Sequence, residues 1–205
     1  MLLIEKIESG SGFSPQKGEH LLAHQNWVPG GGTKVAFSIR HDGSSIYLYY
    51  EVQEKEVRAV NTDIHSSVWE DSCVEFFLSL EADPHNYYNF EINAIGTVLG
   101  AYGPDRNQRD WLSKSLLSKV ETNPSLGRKP FDSQYNNTPW NIQIRIPLEV
   151  LTHSDLSKLS GTDGYGNFYK CGDKLTQPHF LSWKPVLTST PDFHTPRYFG
   201  HLSFL

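Results

Sequence analysis

The run Trp69-Glu70-Asp71-Ser72-Cys73-Val74-Glu75-Phe76-Phe77-Leu78 concentrates an indole and three carboxylates next to an alternating apolar pattern. If Val74, Phe76 and Leu78 face a core, Glu75 points to the opposite face of the strand. The next run, Tyr87-Tyr88-Asn89-Phe90-Glu91-Ile92-Asn93, sends Tyr88, Phe90 and Ile92 inward by the same rule. Asn89, Glu91 and Asn93 then share the outer face with Glu75. Consecutive strands usually pair, so the four residues are expected to form one polar patch overhung by Trp69. An indole offers a flat apolar face that stacks on the C–H surface of a sugar, while carboxylates and amides bond its hydroxyls. The same inventory also fits a solvated outer face with Trp69 half-buried in a loop, which is ordinary in antiparallel sheets. It contains, too, the raw material of glycoside hydrolysis, which needs two carboxyls at roughly 5 to 9.5 Å.

The elements that must position these residues are strands. Period-two alternation runs through Val35–Arg40, Ile46–Val52, Cys73–Leu80, Tyr88–Ala94 and Ile142–Ile146. His41-Asp42-Gly43-Ser44 reads as the hairpin turn between the first two. Gly166–Cys171, Phe180–Trp183 and Tyr198–Phe204 are expected to be the last strands. Helical signal is thin: Pro147 suits the first position of one turn, and Asp110–Val120 scores equally as helix or strand. Glu54–Asp71 and Pro124–Pro139 read as long loops, a class that is more often functional than idle. The expectation is one all-β domain over 1–205, an antiparallel β-sandwich with a few short helical turns.

Composition narrows the function classes. The chain has 205 residues, a net charge of -5 and no Lys/Arg stripe, which argues against nucleic acid and anionic membranes as partners. No apolar run approaches the roughly 20 residues of a membrane span. The opening apolar patch is too short for a signal peptide, so a cytoplasmic location is expected unless an export signal has been removed. Cys73 and Cys171 cannot build a disulfide scaffold or a four-thiolate zinc site. There is no G-x-S-x-G elbow, P-loop, dinucleotide fingerprint or His-Glu-x-x-His, and Gly30-Gly31-Gly32 is a flexible turn rather than a phosphate cradle. His179, His194 and His201 match no standard zinc spacing, so neither metal nor cofactor is expected. Asn136-Asn137-Thr138 is a formal glycosylation sequon followed by Pro139. Aromatic residues reach 13%, with five Trp. Trp27 reads as loop packing, Trp140 as the rim of the core and Trp111 as a candidate third binding aromatic.

The Trp69–Leu78 and Tyr87–Gly96 runs, with Ser182-Trp183-Lys184-Pro185 and the ending Phe193-His194-Thr195-Pro196-Arg197-Tyr198-Phe199-Gly200, resemble carbohydrate-binding module family 9. Asn167–Asp173 followed by Pro178–Trp183 is similar to stand-alone bacterial proteins of that type. The resemblance implies a DOMON-like sandwich, of immunoglobulin or jelly-roll character, in which two Trp clamp a terminal sugar of a polysaccharide. It assigns Trp69 and Glu75 to the first Trp and the acidic residue, and Trp183 to the second Trp. Asn89, Glu91 and Asn93 would set hydroxyl specificity, and His179 or His194 could add a donor beside Trp183. Glu91 stands where xylanase modules carry a basic residue, Phe180 replaces an amide, and their calcium sites have no counterpart here. The implied function is a non-catalytic module for a mono- or oligosaccharide, serving carbohydrate metabolism. The alternatives are a carbohydrate-active enzyme using Glu75 and Glu91, a haem protein or a protein-interaction domain. Haem suffers from having only Met1 as a methionine ligand.

Overall fold

A computed structural model describes residues 1–10, 17–135 and 139–205, so the sequon at 136–138 lies outside the described residues. Among them, two antiparallel sheets pack face to face as a β-sandwich. The larger runs in the order Leu2–Ile4, Gly200–Phe204, Asp163–Cys171, Cys73–Ser79, Tyr87–Asn93, Val98–Gly103 and Asp110–Trp111. Phe180–Ser182 pairs with the Asp163–Cys171 strand and with His24–Gln25. The smaller sheet runs Glu121–Pro124, Trp140–Pro147, Ser45–Gln53, Lys34–His41 and His20–Leu21. The only parallel pair of the described strands is at the edge, where Leu2↔Leu202 and Ile4↔Phe204 place the chain's first and last strands side by side.

The core between the sheets holds Val74, Phe76, Leu78, Tyr88, Phe90, Ile92 and Phe168 from one face and Phe37, Ile39, Leu48, Tyr50, Ile142 and Ile144 from the other. Apart from Phe168, these are the alternate positions read from the sequence, because successive side chains of a strand point to opposite faces. The hairpin at 41–44 also forms. Asp42 Oδ1 accepts from the Ser44 and Ser45 amides, both at 2.8 Å, and Gly43 takes φ +92°, which a side chain would resist.

Two expectations change. The Glu54–Asp71 and Pro124–Pro139 stretches are not mere loops: Glu56–Ala59 and Phe131–Tyr135 pair with each other as a two-stranded ribbon. Glu56–Ala59 alternates over four residues only and Phe131–Tyr135 not at all, and their pairing spans some 70 residues, so the local signal is weak. The Asp110–Val120 ambiguity resolves into both forms, a two-residue strand followed by the single turn Lys114–Leu117, capped by Ser113.

Candidate functional site

The outer face of the larger sheet is not solvated. Registers Glu75↔Glu91, Phe77↔Asn89 and Cys73↔Asn93 on one side of the Cys73–Ser79 strand, and Tyr169↔Glu75 and Cys171↔Cys73 on the other, build a continuous floor. The segment 183–199 crosses this floor. Val186 and Phe193 pack there with Val68, Phe77, Tyr87, Leu99 and Tyr169 as a second apolar cluster. What stays open is a cavity of about 390 Å³. Glu75, Asn89 and Glu91 form its floor. Trp27, Trp69, Trp111, Phe180 and Phe193 stand around it, and Arg106, Arg109, Cys171, Asp173 and His194 also line it.

Each wall has a local cause. Trp69 sits in the one-turn helix Val68–Glu70, half-buried against the second cluster, and its carbonyl accepts from the Asp173 amide at 3.1 Å. That turn is anchored by Asp71, fully buried, which pairs with Arg58 at 2.6 Å and accepts from the Val60 and Asn61 amides and from Asn93 Nδ2. Trp27 holds φ +60°, unusual for so bulky a residue. Its Nε1 donates to the Thr188 carbonyl at 2.8 Å and its ring meets Phe180 edge-on, so surrounding contacts fix the conformation. Trp111, 53% exposed, projects at the mouth against His65.

Arg109 is the residue that sequence reading missed. Its guanidinium donates to the Tyr87, Ala101 and Gly103 carbonyls and to Asn89 Oδ1, and it lies over the Tyr87 ring at 4.5 Å. Asn89 in turn donates to Glu91 Oε1 at 2.9 Å. Arg106 bonds Asp192 and the Pro191 carbonyl, tying the loop before Arg109 to the covering segment. The run Pro104–Arg109 has no periodicity, so no sequence signal marks either arginine.

Burial dominates the electrostatics. It pushes the Glu75 carboxyl well above the usual range, with Glu91 directly opposite adding to the rise. Burial likewise raises Glu91 to about 7, against the Asn89 hydrogen bond and the charge of Arg109, which both pull it down. Near neutral pH the pair therefore offers donors as well as acceptors, since a protonated carboxyl donates. Burial and the two arginines lower His194 to about 3, so it is neutral and exchanges a hydrogen bond with the Tyr87 hydroxyl at 2.9 Å.

Of the residues read from sequence, Trp69, Glu75, Asn89 and Glu91 meet in this cavity, and so does Trp111. Asn93 shares the face but is buried under Asn61, and it braces Asp71 and the Thr97 amide instead. Trp183 lies elsewhere. It packs edge-on against Phe37 and Phe168, which are inner-face residues, and Lys184 covers its ring. Gly200 lets that ring approach, because a Cβ there would collide with it. The motif position located Trp183 along the chain but not on which side of the sheet it falls. His179 is also apart, in a smaller cavity of about 250 Å³. Behind it, Lys170 Nζ donates to His179 at 3.0 Å and forms an ion pair with Glu54 at 2.8 Å, while Trp140 Nε1 bonds the same carboxylate at 2.7 Å. Cys73, Glu75 and Cys171 bring three ligand-type atoms within 4.8 Å of one another, the one such grouping among the described residues.

The sequence profile of carbohydrate-binding family 9 matches residues 21–204, which is most of the chain. The chain belongs to carbohydrate-binding family 9. The crystal structure of a Bacteroides uniformis ATCC 8492 protein described as carbohydrate-binding is 38% identical, with a TM-score of 0.91 over 100% of this chain and 98% of that one. A family 9 module from Caldicellulosiruptor kristjanssonii in complex with glucose shares the fold at 12% identity and a TM-score of 0.65, covering 99% of this chain and 95% of that one. The same holds for that organism's module in complex with cellotriose, at 12% identity and a TM-score of 0.65, covering 99% and 92%. Among curated proteins, none matches. Family 9 membership makes a carbohydrate the first ligand class to consider for this cavity.

Proposed function

We propose that this family 9 chain is a non-catalytic module that holds one sugar unit of a mono- or oligosaccharide, or of a polysaccharide end, in the cavity beneath Trp69. The observation that carries this reading is the half-buried Trp69 above a floor of Glu75, Asn89 and Glu91, with Arg109 orienting the amide. The indole supplies a stacking face and the floor supplies fixed polar partners, the combination expected of a small-ligand site. Trp111 and Trp27, rather than Trp183, stand where a second aromatic contact is available. A volume near the lower end of about 300–1,000 Å³ for ligand pockets favours a terminal unit over several internal ones. The glucose and cellotriose complexes of the Caldicellulosiruptor kristjanssonii module make glucose and cello-oligosaccharides the first ligands to try. Glu75 and Glu91 lie side by side on adjacent strands and approach from one side, whereas glycoside hydrolysis needs carboxyls flanking the scissile bond.

Isothermal calorimetry and tryptophan fluorescence against glucose, cellotriose and a panel of other saccharides test the reading. Saturable heat and a shifted emission support it. Silence across the panel at millimolar sugar overturns it. Turnover of aryl glycosides that is lost in both Glu75→Gln and Glu91→Gln would make the protein an enzyme instead.

A further inference from the structure

Beneath the sugar-facing surface lies a second kind of chemistry. Cys73 and Cys171 are direct cross-strand partners, both buried and both free thiols. Glu75 is two residues beyond Cys73 and so projects from the same face. The Cys171 thiol donates to Glu75 Oε1 at 3.0 Å, and the three ligand-type atoms lie within 4.8 Å of one another. Glu75 and Cys171 reach the cavity wall, whereas Cys73 is completely covered.

We propose that Cys73, Glu75 and Cys171 form a three-ligand site for a borderline-soft divalent cation of the zinc class, with its fourth position open to the cavity. The donor set decides the class. Thiolates select zinc-like ions, while calcium and magnesium require shells of oxygen that two sulfurs cannot provide. A tetrahedral ion with bonds of about 2.3 Å to sulfur and about 2.0–2.2 Å to oxygen spaces its ligands by roughly 3.5 Å. The three atoms now lie within 4.8 Å of one another, so closing to that spacing is a movement of about 1 Å. Binding displaces one proton from each thiol and any proton held by Glu75, and these leave through the cavity. The open position accepts a water or a ligand hydroxyl. This site goes beyond the sugar reading and stands without it, because the strand register alone assembles it.

The test uses the full chain, reduced and dialysed against a chelator, then titrated with Co²⁺ in the absence of sugar. The expected result is one equivalent bound, with a thiolate-to-cobalt charge-transfer band, intense visible bands of a tetrahedral ion, and displacement by Zn²⁺. Cys73→Ser and Cys171→Ser should each abolish the charge-transfer band. X-ray absorption of the zinc-loaded wild type needs no variant, and should find two sulfur neighbours at about 2.3 Å. Absence of the charge-transfer band at saturating Co²⁺, with both thiols titrating as free, overturns the proposal. So does a zinc shell of oxygen and nitrogen alone. Saccharide calorimetry on the same metal-free protein reports separately on sugar binding, so failure of one reading is distinguishable from failure of the other.

Discussion

Replacing Glu54 with Gln isolates the buried ion pair that supports the strand bearing Cys171. Lys170 is fully buried, and Glu54 is its only carboxylate among the described residues, at 2.8 Å. Burial alone would raise the Glu54 carboxyl. The Lys170 charge and the contact with His179 more than offset that and hold it at about 2, against 4.5 for an ordinary glutamate. Because the folded value is depressed, the linked stability is fully present above the unfolded value and fades as pH falls through about 4.5 toward 2. At about 1.4 kcal/mol per pKa unit the contribution is of order 3 kcal/mol at pH 7, falling to roughly half by pH 3. Gln keeps the shape and can still accept from Trp140 Nε1, so the lost charge is the main change. Urea unfolding of wild type and Glu54→Gln at pH 7 and pH 3 reads the difference and cancels the titrations common to both. The variant should lose of order 3 kcal/mol at pH 7, or roughly 6–12 °C in Tm for a chain of this size, and clearly less at pH 3. Adding Lys170→Met should restore part of the loss, since removing both charges is far cheaper than stranding one. A deficit equal at the two pH values, or no recovery in the double variant, would refute the reasoning.

Other changes separate the cavity from its supports. Trp69→Ala should weaken sugar binding at least tenfold in calorimetry while shifting the melt little, because stacking area is removed at a half-buried site; unchanged affinity would remove Trp69 from the binding surface. Trp183→Ala should do the reverse. It should cost about 2–4 kcal/mol in urea unfolding and leave the sugar Kd within about twofold, and a large loss of affinity in a stable protein would restore Trp183 to the site. Asp71→Ala should destabilise by of order 3 kcal/mol and also loosen sugar binding, since it strips the anchor from the turn that carries Trp69; a melt equal to that of wild type would count against this anchor.

The floor of the site was legible because two ordinary rules suffice for it. Alternation sets which way Glu75, Asn89 and Glu91 point, and consecutive strands pair, so their meeting follows from local pattern. The third strand of that floor was not legible. Asp163–Cys171 joins the Cys73–Ser79 strand from across more than 80 residues, and nothing near Cys171 announces Cys73 or Glu75 as neighbours. The cover was equally hidden, since 183–199 is held by irregular contacts such as Asn26 Oδ1 with the Val186 amide rather than by any period. A face that alternation alone also allowed to be solvated is therefore enclosed, and enclosure is what raises the Glu75 and Glu91 carboxyls. Trp183 and His179 show the limit of motif position. Both lie next to the Phe180–Ser182 strand as expected, yet one turns into the sandwich and the other joins the ion pair of Glu54 and Lys170.

The parallel edge pair has a consequence for how this fold can be wired. With Leu2 beside Leu202 and Ile4 beside Phe204, residues 1 and 205 are offset by about four positions along neighbouring strands, roughly 13 Å. A bridge of a few residues would join them, and the opening could be moved to the exposed turn at 82–85 without breaking a sheet. Such a permuted chain would display the same cavity from a different point of attachment. Equally, the unmodified order could be spliced into a surface loop of a host protein, entering and leaving through one narrow doorway.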